Sequence, residues 1–155
     1  MRTFHTLQKS TNIQELIKET FDADLPIAGD WGYSKDSASI LTALPHGMPL
    51  LQLQHTLTTI RAHLEMDITQ EKNHRYSAIN ANEISREAQQ LNGLNYQKVT
   101  YKVTAIKADL FKKFIGEYKN GYEKESFDLN AHFKKREAAT LTREVVHYFE
   151  ISQII

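Results

Sequence analysis

Residues 81–106 read ANEISREAQQLNGLNYQKVTYKVTAI, and they determine the architecture that we expect. The dipeptide Asn92-Gly93 is the strongest short-range signal for a β-hairpin, because a type I′ turn needs positive φ at both central residues. Residues 96–106, which follow it, are rich in β-branched and aromatic side chains, and apolar residues alternate with polar ones. This pattern is typical of a strand.

The segment before the turn, residues 81–91, fits two structures. Its apolar residues have helical spacing, whereas a two-residue turn would pair it with the following strand. That pairing sets Glu87 opposite Lys98 and Ile84 opposite Tyr101, which are an opposite-charge pair and an apolar–aromatic pair. We therefore predict a strand, and with it a hairpin.

The remaining periodicity predicts helices over residues 13–21, from Pro49 onward, over 109–119 and after Asp128, with strands over 37–44 and 139–151. The last strand is apolar on both faces, which is typical of a central position in a sheet. Helices do not separate every strand, so the sequence predicts an α+β fold. We expect residues 1–155 to form a single domain, with a mostly antiparallel sheet of about four strands and helices packed on one face.

The composition excludes several classes of function. The 155 residues include 19 Lys and Arg, 19 Asp and Glu, and no cysteine. The chain can therefore have no disulfide scaffold, no thiolate metal site and no cysteine nucleophile. No apolar run is long enough to span a bilayer or to serve as a signal peptide. We expect a soluble, cytoplasmic protein that does not engage a membrane.

The loop from Asp24 to Ser34 holds the candidate ligand- or partner-binding residues Asp24, Asp30, Trp31 and Tyr33. In an enzyme, Asp30 would act as a general base, Tyr33 would donate a hydrogen bond and Trp31 would form the pocket wall. In a structural loop, Trp31 would close one end of the core instead. The acidic spacing does not match a calcium loop. We expect no metal site and no cofactor.

The histidines show no metal-binding spacing such as HExxH or HxH. We therefore expect them to be unconnected surface or rim residues. They are His5, His46, His55, His63, His74, His132 and His147.

The densest basic run is Lys134, Lys135 and Arg136. It belongs to residues 98–143, which carry a net charge of +5, whereas residues 1–97 carry −3. Such a division could present a basic face to nucleic acid, with nearby aromatic side chains for stacking. It could equally let two copies dock through opposite charges, or it could simply be a solvated surface.

Neither a GxSxG nucleophile elbow nor an SxxK motif occurs in the chain. We therefore expect a non-catalytic domain that acts through protein–protein or small-ligand contact and forms a homo-oligomer. A small enzyme with its site at the loop from Asp24 to Ser34 is the first alternative. Nucleic-acid binding through Lys134, Lys135 and Arg136 is the second, less favoured one.

Overall fold

The computed structural model describes residues 4–124 and 126–155. The helices in this part of the chain are α1 (Ile13–Phe21), α2 (Leu50–His63), α3 (Ala108–Gly121) and α4 (Leu129–Ala139). The strands are β1 (Ile27–Gly29), β2 (Ser39–Leu41), β3 (Tyr76–Leu91), β4 (Leu94–Lys107) and β5 (Leu141–Glu150). A π-helical turn, Leu64–Ile68, extends α2, and a short 3-10 turn, Lys72–His74, precedes β3.

The strands form one sheet in the order β1-β2-β5-β4-β3. Only β2 and β5 are parallel, and every other neighbouring pair is antiparallel. The predicted α+β class is therefore confirmed, and β5 lies in the middle of the sheet as its apolar faces indicated. The sheet has a fifth strand because β1 lies within the segment from Asp24 to Ser34, which we predicted as loop. Three residues carry too little periodicity to show a strand, and only the pairing with β2 defines it.

The hairpin of β3 and β4 is confirmed. Asn92 and Gly93 have φ of 52° and 79°, as a type I′ turn requires. Glu87 pairs with Lys98 in the predicted register.

The predicted pairing of Ile84 with Tyr101 is wrong. Tyr101 pairs with Glu83, and a β-bulge between Glu83 and Ser85 leaves the side chain of Ile84 exposed. A bulge inserts one extra residue, so the side chains that follow it point to the opposite face of the sheet from the one that simple alternation would give. It thereby places Glu83 on the same face as Arg86, whose Nη2 lies 2.6 Å from the Glu83 carboxylate.

Helix α2 covers one face of the sheet. Its apolar stripe is buried at Leu53, Leu57 and Ile60, and these residues follow the helical periodicity that predicted a helix from Pro49 onward. Burying each such side chain contributes about 1.5–3 kcal/mol to folding. At the same interface, Thr58 of α2 hydrogen-bonds His147 of β5.

The two helices α3 and α4 form a hairpin that connects β4 to β5. The predicted helix over 109–119 is present, but its apolar side chains are only half-buried, and Tyr118 is exposed. In the described part of this hairpin only Gly121 and His132 are buried. The α3–α4 hairpin therefore packs lightly on the rest of the fold.

Across residues 4–124 and 126–155, no helix combines the length and the apolar character that a membrane crossing requires.

Candidate functional site

A cleft of about 220 Å³ opens beside the loop that the sequence singled out. Its floor consists of Ile40, Glu150 and Tyr96, which are register partners on the adjacent strands β2, β5 and β4. Side chains alternate between the two faces of a sheet, and His147 of β5 faces α2. The floor of the cleft therefore lies on the face away from α2. We call this depression the Glu150 cleft.

One wall of the Glu150 cleft is the loop between β1 and β2, which contributes Asp30, Lys35 and Asp36. Two backbone hydrogen bonds fold this loop back on itself: Asp30 N donates to the Ala38 carbonyl (3.1 Å), and Gly32 N to the Ser37 carbonyl (2.7 Å). The loop is therefore a fixed wall.

Charged side chains of both signs surround the Glu150 cleft. Lys9 and Lys35 lie on its rim with Asp30, and Leu94 closes the end near the turn between β3 and β4. The carboxylate of Asp30 accepts a hydrogen bond from the Trp31 backbone N–H at 2.7 Å. Neither lysine has a carboxylate within 4.0 Å among the residues that the structure describes. Both cations are therefore available to a ligand.

Glu150 is the least solvated carboxylate of the cleft, with 7% of its surface exposed. Its Oε2 accepts a hydrogen bond from the Ser152 backbone N–H at 3.2 Å. Within the described chain it forms no ion pair. A buried carboxylate is costly unless a cation or several donors compensate it. Among the described residues, the Glu150 carboxylate therefore has one backbone donor and no neighbouring cation.

Trp31 and Tyr33 face the protein interior rather than the Glu150 cleft. Trp31 is buried and donates from Nε1 to the Gln8 carbonyl at 3.1 Å. The Tyr33 hydroxyl donates to Glu65 at 2.6 Å and accepts from the Leu7 N–H at 3.0 Å. Burial, together with the nearby Glu65 carboxylate, raises the pKa of Tyr33. Both side chains therefore hold the loop and the N-terminal segment against the core.

Asp24 lies elsewhere. It accepts a hydrogen bond from the Gln14 side chain at 2.9 Å, and both residues line a separate groove along α1. Of the four candidate residues in the loop, the structure thus brings only Asp30 to the Glu150 cleft. The enzyme roles assigned to Asp30, Trp31 and Tyr33 would require these residues to converge on one pocket, and they do not.

Under the loop lies a network of buried charges that sequence reasoning missed. Glu65, in the turn that follows α2, pairs with Arg143 at 2.9 Å and accepts from Tyr33. Arg61 is buried beside them and donates to the carbonyls of Trp31 (3.2 Å) and Val146 (2.9 Å). Burial lowers the pKa of Arg61, and the Glu65 carboxylate opposes that shift. The network fixes the loop between β1 and β2, which contains Trp31 and is called the Trp31 loop below, against the sheet.

His147 is fully enclosed between α2 and β2. Its Nε2 lies 2.8 Å from Ser39 Oγ, and its Nδ1 lies 2.9 Å from Thr58 Oγ1. The Ser39 hydroxyl donates to the Asp30 carbonyl at 2.7 Å, so Ser39 accepts from Nε2–H and Nδ1 accepts from Thr58. Burial lowers the pKa of His147 well below its ordinary value.

The Ser39–His147 pair has the spacing of a nucleophile and its base, but it serves packing. Both residues are buried, and the imidazole Nδ1 is engaged by the Thr58 hydroxyl rather than by a carboxylate. The serine proton is committed to a backbone carbonyl. A substrate therefore has no path to this hydroxyl and no base is poised to activate it.

The expectation of surface histidines is wrong for His132 as well as for His147. The His132 ring is buried among aromatic rings, with centroids 6.0 Å from Phe114, 5.7 Å from Tyr118 and 5.6 Å from Phe127. Neither of its ring nitrogens has a hydrogen bond among the described residues. Its Nδ1 lies 3.8 Å from Glu117 Oε1, so His132 fills the space between α3 and α4 with one ring nitrogen beside a carboxylate.

The basic run lies on α4, and its charges are partly engaged. Lys135 Nζ lies 3.6 Å from Glu117 Oε1, and the Arg136 guanidinium lies 5.6 Å from the Phe111 ring centroid. Lys134 is exposed.

Aromatic side chains form a continuous exposed surface next to the basic run. The Tyr118 ring stacks on the Tyr122 ring with their centroids 5.5 Å apart, and its centroid lies 6.5 Å from that of Phe133. Tyr122 is 55% exposed and Phe133 47% exposed, and Leu129 is exposed beside them. We call Tyr118, Tyr122, Leu129 and Phe133 the hairpin surface.

The described residues contain no group of three or more histidine or acidic side chains that could hold a metal ion. Comparison of the chain with protein-family models, with curated proteins and with solved structures gives no match.

Proposed function

We propose that this chain is a non-catalytic binding domain that contacts a second copy of itself through the hairpin surface. One observation carries the proposal: four large apolar side chains of α3, α4 and their connection are exposed together. Isolated apolar residues on a surface need no explanation, but a contiguous group favours a contact site. Aromatic residues are also the residue type that contributes most to protein interfaces.

The packing of the α3–α4 hairpin supports the same reading. Two helices joined to a sheet normally bury one apolar stripe each. Here the stripe of α3 is only half-buried, at residues such as Phe114 and Ile115, and Gly121 is the only residue of that helix that is buried. A second hairpin packed against the first would bury these side chains and would complete a four-helix arrangement.

Charge favours a protein partner over nucleic acid. Residues 108–139 contain seven basic and six acidic residues, so their charges nearly cancel. Binding to phosphates requires a surplus of cations, whereas a balanced surface can meet a copy of itself without repulsion. The pairing of Lys135 with Glu117 leaves one fewer unpaired cation to contact a phosphate.

Size-exclusion chromatography with light scattering tests the proposal on a double variant, Tyr122→Ser with Phe133→Ser. Leu51→Ser is the matched control, because Leu51 is 57% exposed on α2, remote in sequence from the hairpin surface. We expect a dimer for the unmodified chain and for the control, and a monomer for the double variant. A monomeric unmodified chain, or a double variant that still dimerises, would contradict the proposal.

Titration of the chain with a single-stranded oligonucleotide tests the nucleic-acid alternative. We expect no binding at low salt. Binding that weakens steeply with added salt and disappears when Lys134 and Lys135 are replaced by alanine would favour that alternative instead.

A further inference from the structure

We infer that the Glu150 cleft binds a small zwitterion, a molecule with one ammonium group and one carboxylate or phosphate group. This site is separate from the hairpin surface, so the outcome of the test for self-association neither supports nor contradicts the inference.

The ammonium half of the ligand follows from Glu150. The residue keeps 7% of its surface exposed, its Oε2 accepts one backbone hydrogen bond, and no cation lies within 4.0 Å of its carboxylate in the described chain. The part of the residue that stays accessible lines the cleft. A primary ammonium in the cleft would supply the opposite charge and further donors to this carboxylate.

The anionic half follows from the rim. Lys9 and Lys35 line the cleft from two different segments, and neither is paired with a described carboxylate. Lysine binds a carboxylate or a phosphate as a flexible point charge. A ligand that reaches from Glu150 at the floor to a lysine at the rim therefore carries opposite charges at its two ends.

The size of the ligand follows from the cleft volume of about 220 Å³. Sites for drug-sized molecules start at about 300 Å³, so this cleft suits a molecule of the size of a free amino acid or an amino-alcohol phosphate. Ile40, Tyr96 and Leu94 give it a short apolar section between the charged groups. A divalent cation is a poorer match, because Asp30 and Glu150 belong to no three-ligand group among the described residues.

The test is an NMR titration of ¹⁵N-labelled chain, in which the backbone amides of Tyr96 and Glu150 report on the cleft. The zwitterionic probes are the free L-amino acids and phosphoethanolamine, and butylamine and butyrate are the single-charge controls. We expect at least one zwitterion to shift these amides, and each single-charge control to bind at least tenfold more weakly. If no zwitterion shifts them at about 10 mM, the inference is wrong.

Variants locate the ligand within the cleft. Glu150→Gln removes the charge at the floor, and we expect it to weaken zwitterion binding by about tenfold to a hundredfold. Glu144→Gln, an exposed carboxylate on the same face of β5, is the control and leaves the affinity unchanged. Unchanged affinity in Glu150→Gln contradicts the inference.

Lys35→Ala provides a rim variant in case Glu150→Gln fails to fold. We expect it to weaken the binding of zwitterions while leaving that of butylamine unchanged. An equal effect on both probes, or no effect on either, contradicts the role of the rim lysine.

Discussion

The Glu65 carboxylate balances the buried charge under the Trp31 loop, and we predict that Glu65→Gln lowers the free energy of unfolding by about 3 kcal/mol. Glutamine keeps the shape but turns one acceptor into a donor, which then meets either the Tyr33 hydroxyl or the Arg143 guanidinium. Breaking a buried ion pair from one side costs about 3–5 kcal/mol. Arg143 keeps partial contact with water, so the lower end of that range applies.

The neighbouring Arg61 adds to this cost. It is buried, and its two hydrogen bonds go to neutral backbone carbonyls, so Glu65 is the anion that compensates its charge. In Glu65→Gln both arginines lose that compensation. A protein of this size is stable by about 5–15 kcal/mol, so a loss of about 3 kcal/mol is a large fraction of the total.

Urea unfolding followed by circular dichroism measures the change directly, and thermal unfolding shows it as a drop in Tm of about 6–12 °C. Glu144→Gln removes an exposed carboxylate and is expected to stay within about 0.5 kcal/mol of the unmodified chain. A loss below about 1 kcal/mol in Glu65→Gln would refute the reasoning, because it would mean that water, not Glu65, compensates the arginines.

Two further predictions concern the same region. Gly32→Ala should destabilise the fold by about 1–3 kcal/mol more than Gly47→Ala, measured by urea unfolding: both glycines have positive φ, but a Cβ at Gly32 would collide with the His147 ring, whereas at Gly47 it would meet nothing within 4 Å. Equal losses would show that the loop relaxes away from the ring. Burial lowers the pKa of His147 below its ordinary value of 6.5, so below that pH the unfolded chain takes up a proton that the folded chain does not. The free energy of unfolding should therefore fall, by up to about 1.4 kcal/mol per pH unit, as the pH drops below 6.5, and His147→Gln should lose this component. Identical slopes in the two proteins would assign the pH dependence to other groups.

The hairpin and the leucine-lined helix were predictable because their signals are local. Asn92-Gly93 specifies its turn because both residues readily adopt positive φ. The apolar stripe of α2 is specified by the spacing of its apolar residues. The bulge at Ile84 was not predictable, since no glycine or proline marks residues 83–85. The incomplete burial of the apolar face of α3 could not be predicted either, because periodicity shows that a face is apolar but not what covers it.

The candidate site was predictable only in part. The composition of the loop singled out Asp30, which lines the Glu150 cleft. Glu150 and Tyr96 escaped notice because their proximity arises from strand register across β4 and β5, more than fifty residues apart in sequence. His147 was missed for the same reason: its partners Ser39 and Thr58 come from distant segments, and no motif marks them.

Hydrogen–deuterium exchange at low and high protein concentration tests self-association and its location in one measurement. If two copies meet through the hairpin surface, the amides of residues 108–139 become more protected as the concentration rises, while those of the β3 edge, residues 76–91, do not change. Protection that is independent of concentration throughout, or a rise confined to the β3 edge, would contradict contact through the α3–α4 hairpin.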